Sequence, residues 1–191
     1  ENLQAHYDEV RDSEVYRPRI EVIEKIRDWY RDRFFIYDSF GGITPENLLE
    51  TFSYAYMRYG CRVFLIDNLM MLTYGGSSKG DFYRKQGEFV NKVKNFAVKN
   101  ECHIHLVAHP RKTDGKLTKM DVMGSGDITN LADNVFSVHR LSDGEREKEG
   151  CDSFIDIFKN RYSGKQDTSV LLNFDTKSKR FYMPSNMSML H

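Results

Sequence analysis

Four apolar residues in a row, Val63-Phe64-Leu65-Ile66, end on a carboxylate, Asp67. An apolar run without alternation predicts a strand buried on both faces, the situation of a parallel sheet covered by helices. The neighbouring sequence supplies such helices. Thr44-Pro45-Glu46 reads as a helix start: the threonine caps, the proline suits the first turn and the glutamate complements the helix dipole. Leu48, Phe52, Ala55 and Tyr59 then share one side, and Gly60 is placed to stop the helix. After a polar stretch from Thr73 to Gly80, residues 81–99 form a second helix with Phe82, Phe89, Val93, Phe96 and Ala97 on one stripe. Strands are expected near 103–108, 134–139, 153–159 and 168–174, with a short one near 179–182. Strand and helix alternate in the first two thirds and a β-rich tail follows, which predicts an α/β fold: a mostly parallel sheet flanked by helices, with an antiparallel C-terminal extension.

The first 33 residues read as a helical lead-in. Ile20, Ile23, Ile26 and Tyr30 recur at helical spacing over residues 19–31, and Trp29, which widens the apolar face, is expected in the core. Phe34-Phe35-Ile36-Tyr37, closed by Asp38-Ser39 and the Gly41-Gly42 turn, predicts a short buried strand. Hydrophobic residues make up 40% and charged residues 29% of the chain, a balance typical of globular domains. No apolar run approaches the roughly 18 residues that cross a bilayer, so no membrane partner is expected. The 28 basic residues equal the 28 acidic ones. That neutrality neither proposes nor excludes nucleic acid, which needs only a local basic patch. Cys61, Cys102 and Cys151 are odd in number and far apart, which suits reduced thiols of a cytoplasm-like compartment. The chain starts on Glu1 rather than methionine and is expected to be a piece of something longer.

Several segments carry chemistry. Asp67 sits at the C-terminal tip of its strand, the edge where open α/β sheets bind ligands. Nucleotide hydrolases need an acid there to hold magnesium through its water shell, although strand-terminal Asp also serves as a turn or helix cap. In His103-Ile104-His105-Leu106-Val107-Ala108-His109 a second apolar strand ends in a polar residue, and His109 beside Asp67 could contact a terminal phosphate. A zinc site built on Cys102, His103, His105 and His109 is opposed by strand geometry, because Cys102 and His103 point to opposite faces. Arg111, Lys112, Lys116 and Lys119 follow with only Asp114 against them, a loop suited to a phosphate backbone or simply to solvent. Gly124-Ser125-Gly126 lets backbone amides approach an anion, while Ser125 or Asp127 could equally cap a helix. Lys159 and Arg161 leave a strand on the same side, as a cationic pair for a neighbouring phosphate or as the flanks of a hairpin turn.

The order of these segments resembles the RecA-like motor domain of DnaB-superfamily replicative helicases, and within it the Twinkle-type and phage primase-helicases. The resemblance rests on Phe35-Ile36-Tyr37-Asp38-Ser39-Phe40, Leu65-Ile66-Asp67-Asn68-Leu69, Leu106 to Lys112, Gly124-Ser125-Gly126 through Ala132-Asp133-Asn134, and Lys159 to Gly164. It covers residues 34–182 and leaves 183–191 as a tail. It implies a Walker B acid at Asp67 positioning Mg2+ with ATP or another NTP, a γ-phosphate sensor at His109, and a trans-acting arginine finger at Arg161 partnered by Lys159. Asn68, Arg140 and Phe174 would contact the nucleotide, Phe174 by stacking on the base. Arg111, Lys112, Lys116, Lys119, Gly124, Ser125 and Gly126 would face single-stranded DNA in the channel of a hexameric ring, with a primase as a further partner. The setting implied is the cytoplasm of a bacterium or phage-infected cell, or alternatively a mitochondrial or other organellar nucleoid.

No GxxxxGK[ST] occurs in the chain. In this family the phosphate-gripping loop and the glutamate that activates water precede the segment matched here, so the chain alone is not expected to hydrolyse ATP. Loss of the strand that carries the loop would leave two inner strand edges unpaired. Two other functions share these features. One is a non-hydrolysing DNA-binding or ring-assembly module, and the other a RecA-type recombinase ATPase on the same fold.

Overall fold

The computed structural model describes residues 3–10, 12–38, 42–72, 78–109 and 126–184. In chain order they form strands β1 (Leu3–Asp8) and β2 (Ser13–Pro18), helices α1 (Ile20–Tyr30) and α2 (Pro45–Tyr59), strand β3 (Val63–Ile66), helix α3 (Lys79–Lys99), strand β4 (His103–Leu106) and the short helix α4 (Gly126–Leu131). Strand β5 (Asn134–Arg140), helix α5 (Asp143–Glu149) and strands β6 (Ser153–Asn160), β7 (Thr168–Asp175) and β8 (Arg180–Tyr182) complete the order. The chain divides into two compact units, one of Ile36–Val135 with Phe158–Gly164, the other of Glu1–Phe35, Phe136–Ile157 and Lys165–His191. No helix among the described residues is long and apolar enough to cross a membrane.

The first of these units holds the main core. Helix α2 starts as its sequence dictates: the Asn47 N–H donates to Thr44 Oγ1 at 3.3 Å. It ends on Gly60, whose φ of +67° lies in the left-handed region open to glycine. Ser78 caps α3 in the same way, accepting from the Asp81 N–H at 3.2 Å. Leu48 and Phe52 of α2, Phe64 and Ile66 of β3, and Phe89, Val90 and Val93 of α3 form one buried cluster, with Leu69, Leu72 and Ile128. Phe52 stacks on Phe64 with ring centroids 4.4 Å apart, and Phe96 meets Phe64 edge-on at 5.8 Å. These aromatic contacts join α2, β3 and α3 through one layer of side chains.

Strand β3 pairs with β4 in parallel, Val63 opposite His103 and Ile66 opposite Leu106. An isolated parallel bridge joins Ile43 and Leu72. Burial alternates along β3: Phe64 and Ile66 are buried, Val63 and Leu65 exposed. The expected burial on both faces is therefore corrected. The helices cover one face of this two-stranded sheet, and Val63, Leu65, His103 and His105 lie on the other, open face. Among the described residues, both outer edges of this pair are unpaired.

In the other unit β1 and β2 form an antiparallel hairpin, Leu3 opposite Pro18 and Asp8 opposite Ser13. It replaces the first part of the expected helical lead-in. Every described residue of β1 before Asp8 is exposed, so the short alternation of Leu3, Ala5 and Tyr7 with polar residues marks no buried face. Helix α1 matches its expected span but buries no residue, and Trp29, expected in the core, is 59% exposed. Phe34 to Tyr37 form no strand. The C-terminal sheet has the order β5-β6-β7-β8, with β7 antiparallel to both β6 and β8. Antiparallel pairings thus outnumber the parallel one among the described residues, against the expectation of a mostly parallel sheet. Within the C-terminal sheet Asp156 is buried, accepts from the Ser169 hydroxyl and lies 3.8 Å from His139 Nε2, while the His139 ring stacks on Phe154 at 4.5 Å.

Candidate active site

The parallel register of β3 and β4 brings their C-terminal ends to one rim. Backbone pairing continues past both strands: the Val107 N–H donates to Ile66 O at 3.0 Å and the Leu69 N–H to Val107 O at 3.0 Å. Between these bonds the chain leaves β3 through Asp67 and Asn68, joined by a cis peptide bond, into a 3-10 turn over Leu69–Met71. Leu69 is only 1% exposed and anchors that turn in the core, which leaves the Asp67 side chain outside at the strand tip.

Asn68 joins the two strand ends. Its Oδ1 accepts from the Met70 N–H at 2.9 Å, which settles the orientation of the amide, because only an oxygen can accept there. Its Nδ2 then faces His109 Nε2 at 2.9 Å. An amide NH2 can only donate, so Nε2 accepts and the imidazole proton of this contact sits on Nδ1. Asp67, Asn68 and His109, expected at one rim, are therefore brought together, and a single hydrogen bond links the residue beside the carboxylate to the histidine.

Asp67 is exposed, and among the described residues no group of three His, Cys, Asp or Glu side chains is placed to cage a metal. A lone carboxylate at a strand tip fits magnesium, which keeps most of its water shell and takes its remaining ligands from phosphates. The zinc set fares differently. The His103 and His105 rings meet edge-on at 4.4 Å on the open face of β4, but the Cys102 thiol donates to Asn100 O at 3.3 Å.

Lys159 and Arg161 occupy a second cluster in the same unit. The Lys159 ammonium donates to Thr129 O at 3.0 Å and Asn130 O at 2.8 Å, the carbonyls near the C-terminal end of α4 where the helix dipole favours a cation. Arg161 Nη1 lies 3.0 Å from Asp133 Oδ1, Nη2 donates to Asn130 O at 3.4 Å, and the Arg161 N–H donates to Asp133 O at 2.9 Å. The other Asp133 oxygen, Oδ2, takes the Lys94 ammonium of α3. The hydrogen bond from Lys94, with the charges of Lys94, Arg161 and Lys159, holds the Asp133 carboxyl below the usual carboxylate range against the opposing effect of burial. Asn130 and Asp133 lie in a segment that carries the resemblance, but neither they nor Lys94 stood out in the sequence as partners of Arg161. Asp133 and its two cations are far apart along the chain, so no local pattern joins them.

Phe174 of β7 pairs across strands with Phe181 of β8, ring centroids 4.9 Å apart, and is partly buried by that contact. Arg140 is exposed at the end of β5. Gly126 opens α4, whereas Arg111, Lys112, Lys116, Lys119, Gly124 and Ser125 lie outside the described residues.

No protein-family model matches the chain. A Twinkle homolog protein, chloroplastic/mitochondrial, of Arabidopsis thaliana is 29% identical over 137 residues, a stretch that covers 68% of this chain and 19% of that protein. A DnaB-like replicative helicase, solved in a study of its interactions with primase, superposes with a TM-score of 0.64 at 19% identity, over 84% of this chain and 40% of that one. The structural likeness shows a shared fold, and the chain spans well under half the length of either protein. The chain is thus similar in sequence to a Twinkle homolog and in fold to a DnaB-like replicative helicase.

Proposed function

We propose that the chain is the C-terminal part of a RecA-like motor domain, from an ATP-dependent replicative helicase that unwinds duplex DNA while moving on single-stranded DNA as a hexameric ring. The observation that carries this reading is the rim at which parallel β3 and β4 present Asp67, Asn68 and His109, with Asn68 bonded to His109 at 2.9 Å. A nucleotide hydrolase needs an acid and a phosphate-sensing donor side by side at such an edge.

Asp67 would hold magnesium through its water shell, and the ion would supply charge neutralisation between the terminal phosphates. The chain's own residues supply the rest. With Nε2 engaged by Asn68, His109 keeps its Nδ1–H to donate to a γ-phosphate oxygen. Only Pro110 separates His109 from the basic segment that starts at Arg111, so a shift of His109 on loss of phosphate would move a loop that grips DNA through Arg111, Lys112, Lys116 and Lys119. Gly124, Ser125 and Gly126 would offer a second DNA-facing segment, and Arg140 and Phe174 nucleotide contacts. Arg161, with more than half its side chain exposed, would reach the triphosphate bound by the next subunit. A primase is a further partner in this reading. The chloroplastic/mitochondrial address of the matched Twinkle homolog favours the organellar setting over the cytoplasm.

The test is ATP hydrolysis stimulated by single-stranded DNA in the longer protein that carries this chain. Asp67→Asn should lower kcat at least about 100-fold, the scale on which loss of transition-state charge stabilisation is felt. His109→Ala should lower basal hydrolysis and abolish its stimulation by DNA. Full activity of Asp67→Asn would end the motor reading.

A further inference from the structure

Asp133 lies between α4 and β5. Its carboxylate bridges two cations from distant parts of the chain, Lys94 on α3 through Oδ2 and Arg161 beyond β6 through Oδ1 at 3.0 Å. The Asp133 backbone carbonyl takes the Arg161 N–H at 2.9 Å, so both the main chain and the side chain of Arg161 are tied to one residue. Asn130 O takes Nη2 as well. Lys159, two residues earlier, is tied to the end of α4. One side of the guanidinium is thereby occupied, while the Arg161 side chain stays 54% exposed and its Nε–H makes no hydrogen bond among the described residues. Guanidinium is planar, so holding one edge sets the direction in which the other edge faces.

We propose that Asp133 is a positioning residue for Arg161: it anchors the guanidinium to α3 through Lys94 and to α4 through Asn130, and aims the free edge at an anionic phosphate outside the subunit. The proposal rests on the reading of Arg161 as the cation that acts in trans. Asp133 touches neither nucleotide nor reacting atoms in this arrangement. Its effect is on the entropy and direction of Arg161, the kind of contribution in which a misplacement of about 1 Å can cost about 100-fold in rate.

The experiment compares Arg161→Ala, Asp133→Asn, Lys94→Gln and the double variant Asp133→Asn/Arg161→Ala in the longer protein, by DNA-stimulated ATP hydrolysis. Asp133→Asn should lower kcat roughly 10- to 100-fold. KM for ATP should stay within about twofold, since ground-state binding is untouched. Lys94→Gln should give a smaller loss in the same direction, and the double variant should be no slower than Arg161→Ala alone, as expected of residues that act as a unit. On the chain itself, the Arg161 Nε–H resonance should report a restricted side chain that Asp133→Asn releases. If Arg161→Ala keeps full activity, the trans-acting reading fails and the proposal with it. If Arg161→Ala is inactive while Asp133→Asn matches the unsubstituted protein, the reading stands and the positioning role is wrong. A higher kcat in Asp133→Asn would mean that Asp133 withholds Arg161, and a freely mobile Arg161 in the unsubstituted chain would show that nothing aims it; either overturns the proposal.

Discussion

Helices α1 and α3 are written in the same language and end in opposite circumstances. Both carry large apolar side chains at helical spacing. On α3 these become the floor of the core, with Phe89 at 1% and Val93 at 5% exposure. On α1, Ile20, Ile23, Ile26 and Trp29 stay largely open and no residue is buried. The difference lies in what stands opposite. Helix α3 meets Phe64 of β3 and, through that ring, Phe52 of α2, whereas the described residues place no such layer over α1. Amphipathic spacing states that a face is fit for burial. Burial itself needs a second face of matching shape, and its free energy arises only when apolar area leaves water.

This contrast can be broken by measurement. The largest effect is expected at Phe89, where truncation to Ala should destabilise the chain by about 3–5 kcal/mol, read as a lower denaturant midpoint at unchanged slope. A loss below about 1 kcal/mol would mean that the α3 face is not the packed one. Gln86 sharpens the picture from within α3. It is fully buried, and its amide nitrogen and oxygen find no hydrogen-bond partner among the described residues. Replacing it by Met, which keeps the volume and removes the polar atoms, should stabilise by about 1 kcal/mol. Destabilisation of that size would reveal a partner for the amide. The smallest effect belongs to Trp29: Trp29→Ala should change stability by less than about 0.5 kcal/mol, as for a surface position, despite the size of the side chain. A loss comparable to that of Phe89→Ala would show that α1 is covered after all.

The same physical distinction decides how much of the molecule could be read from residues. The boundaries of α2 were legible because its ends are local chemistry: a Thr44 hydroxyl three residues from the N–H it accepts, and Gly60 in a left-handed conformation. The strands from Val63 to Tyr182 were legible too, in position if not in partner. The β1–β2 hairpin was not: Leu3, Ala5 and Tyr7 alternate with polar residues, but the alternation is short and marks no buried face. Phe34 to Tyr37 misled in the other direction. Aromatic residues suited to a strand form none, because backbone pairing needs a neighbour that side-chain type cannot guarantee.

The candidate site divides along the same line. Asp67 and His109 each announced themselves as a polar residue closing an apolar strand. Their meeting required the parallel register of β3 with β4, and the bond from Asn68 to His109 required the turn that Leu69 anchors. Arg161 and Lys159 were visible as cations leaving a strand, but the carboxylate that holds Arg161 was not. Asp133 stands 28 residues before Arg161 and 39 after Lys94, distances over which sequence carries no pairing signal.

By itself, then, the sequence determined helices α1, α2 and α3, the strands from Val63 to Tyr182, the caps that bound α2, and which polar side chains would stand at strand tips. Those properties depend on a residue and its neighbours within one or two turns. Tertiary structure alone decided which face of β3 is covered, that α1 is bare, and that Asp133 sits between Lys94 and Arg161. Each of these is a contact between distant segments, and its energy exists only once the chain has brought both sides together.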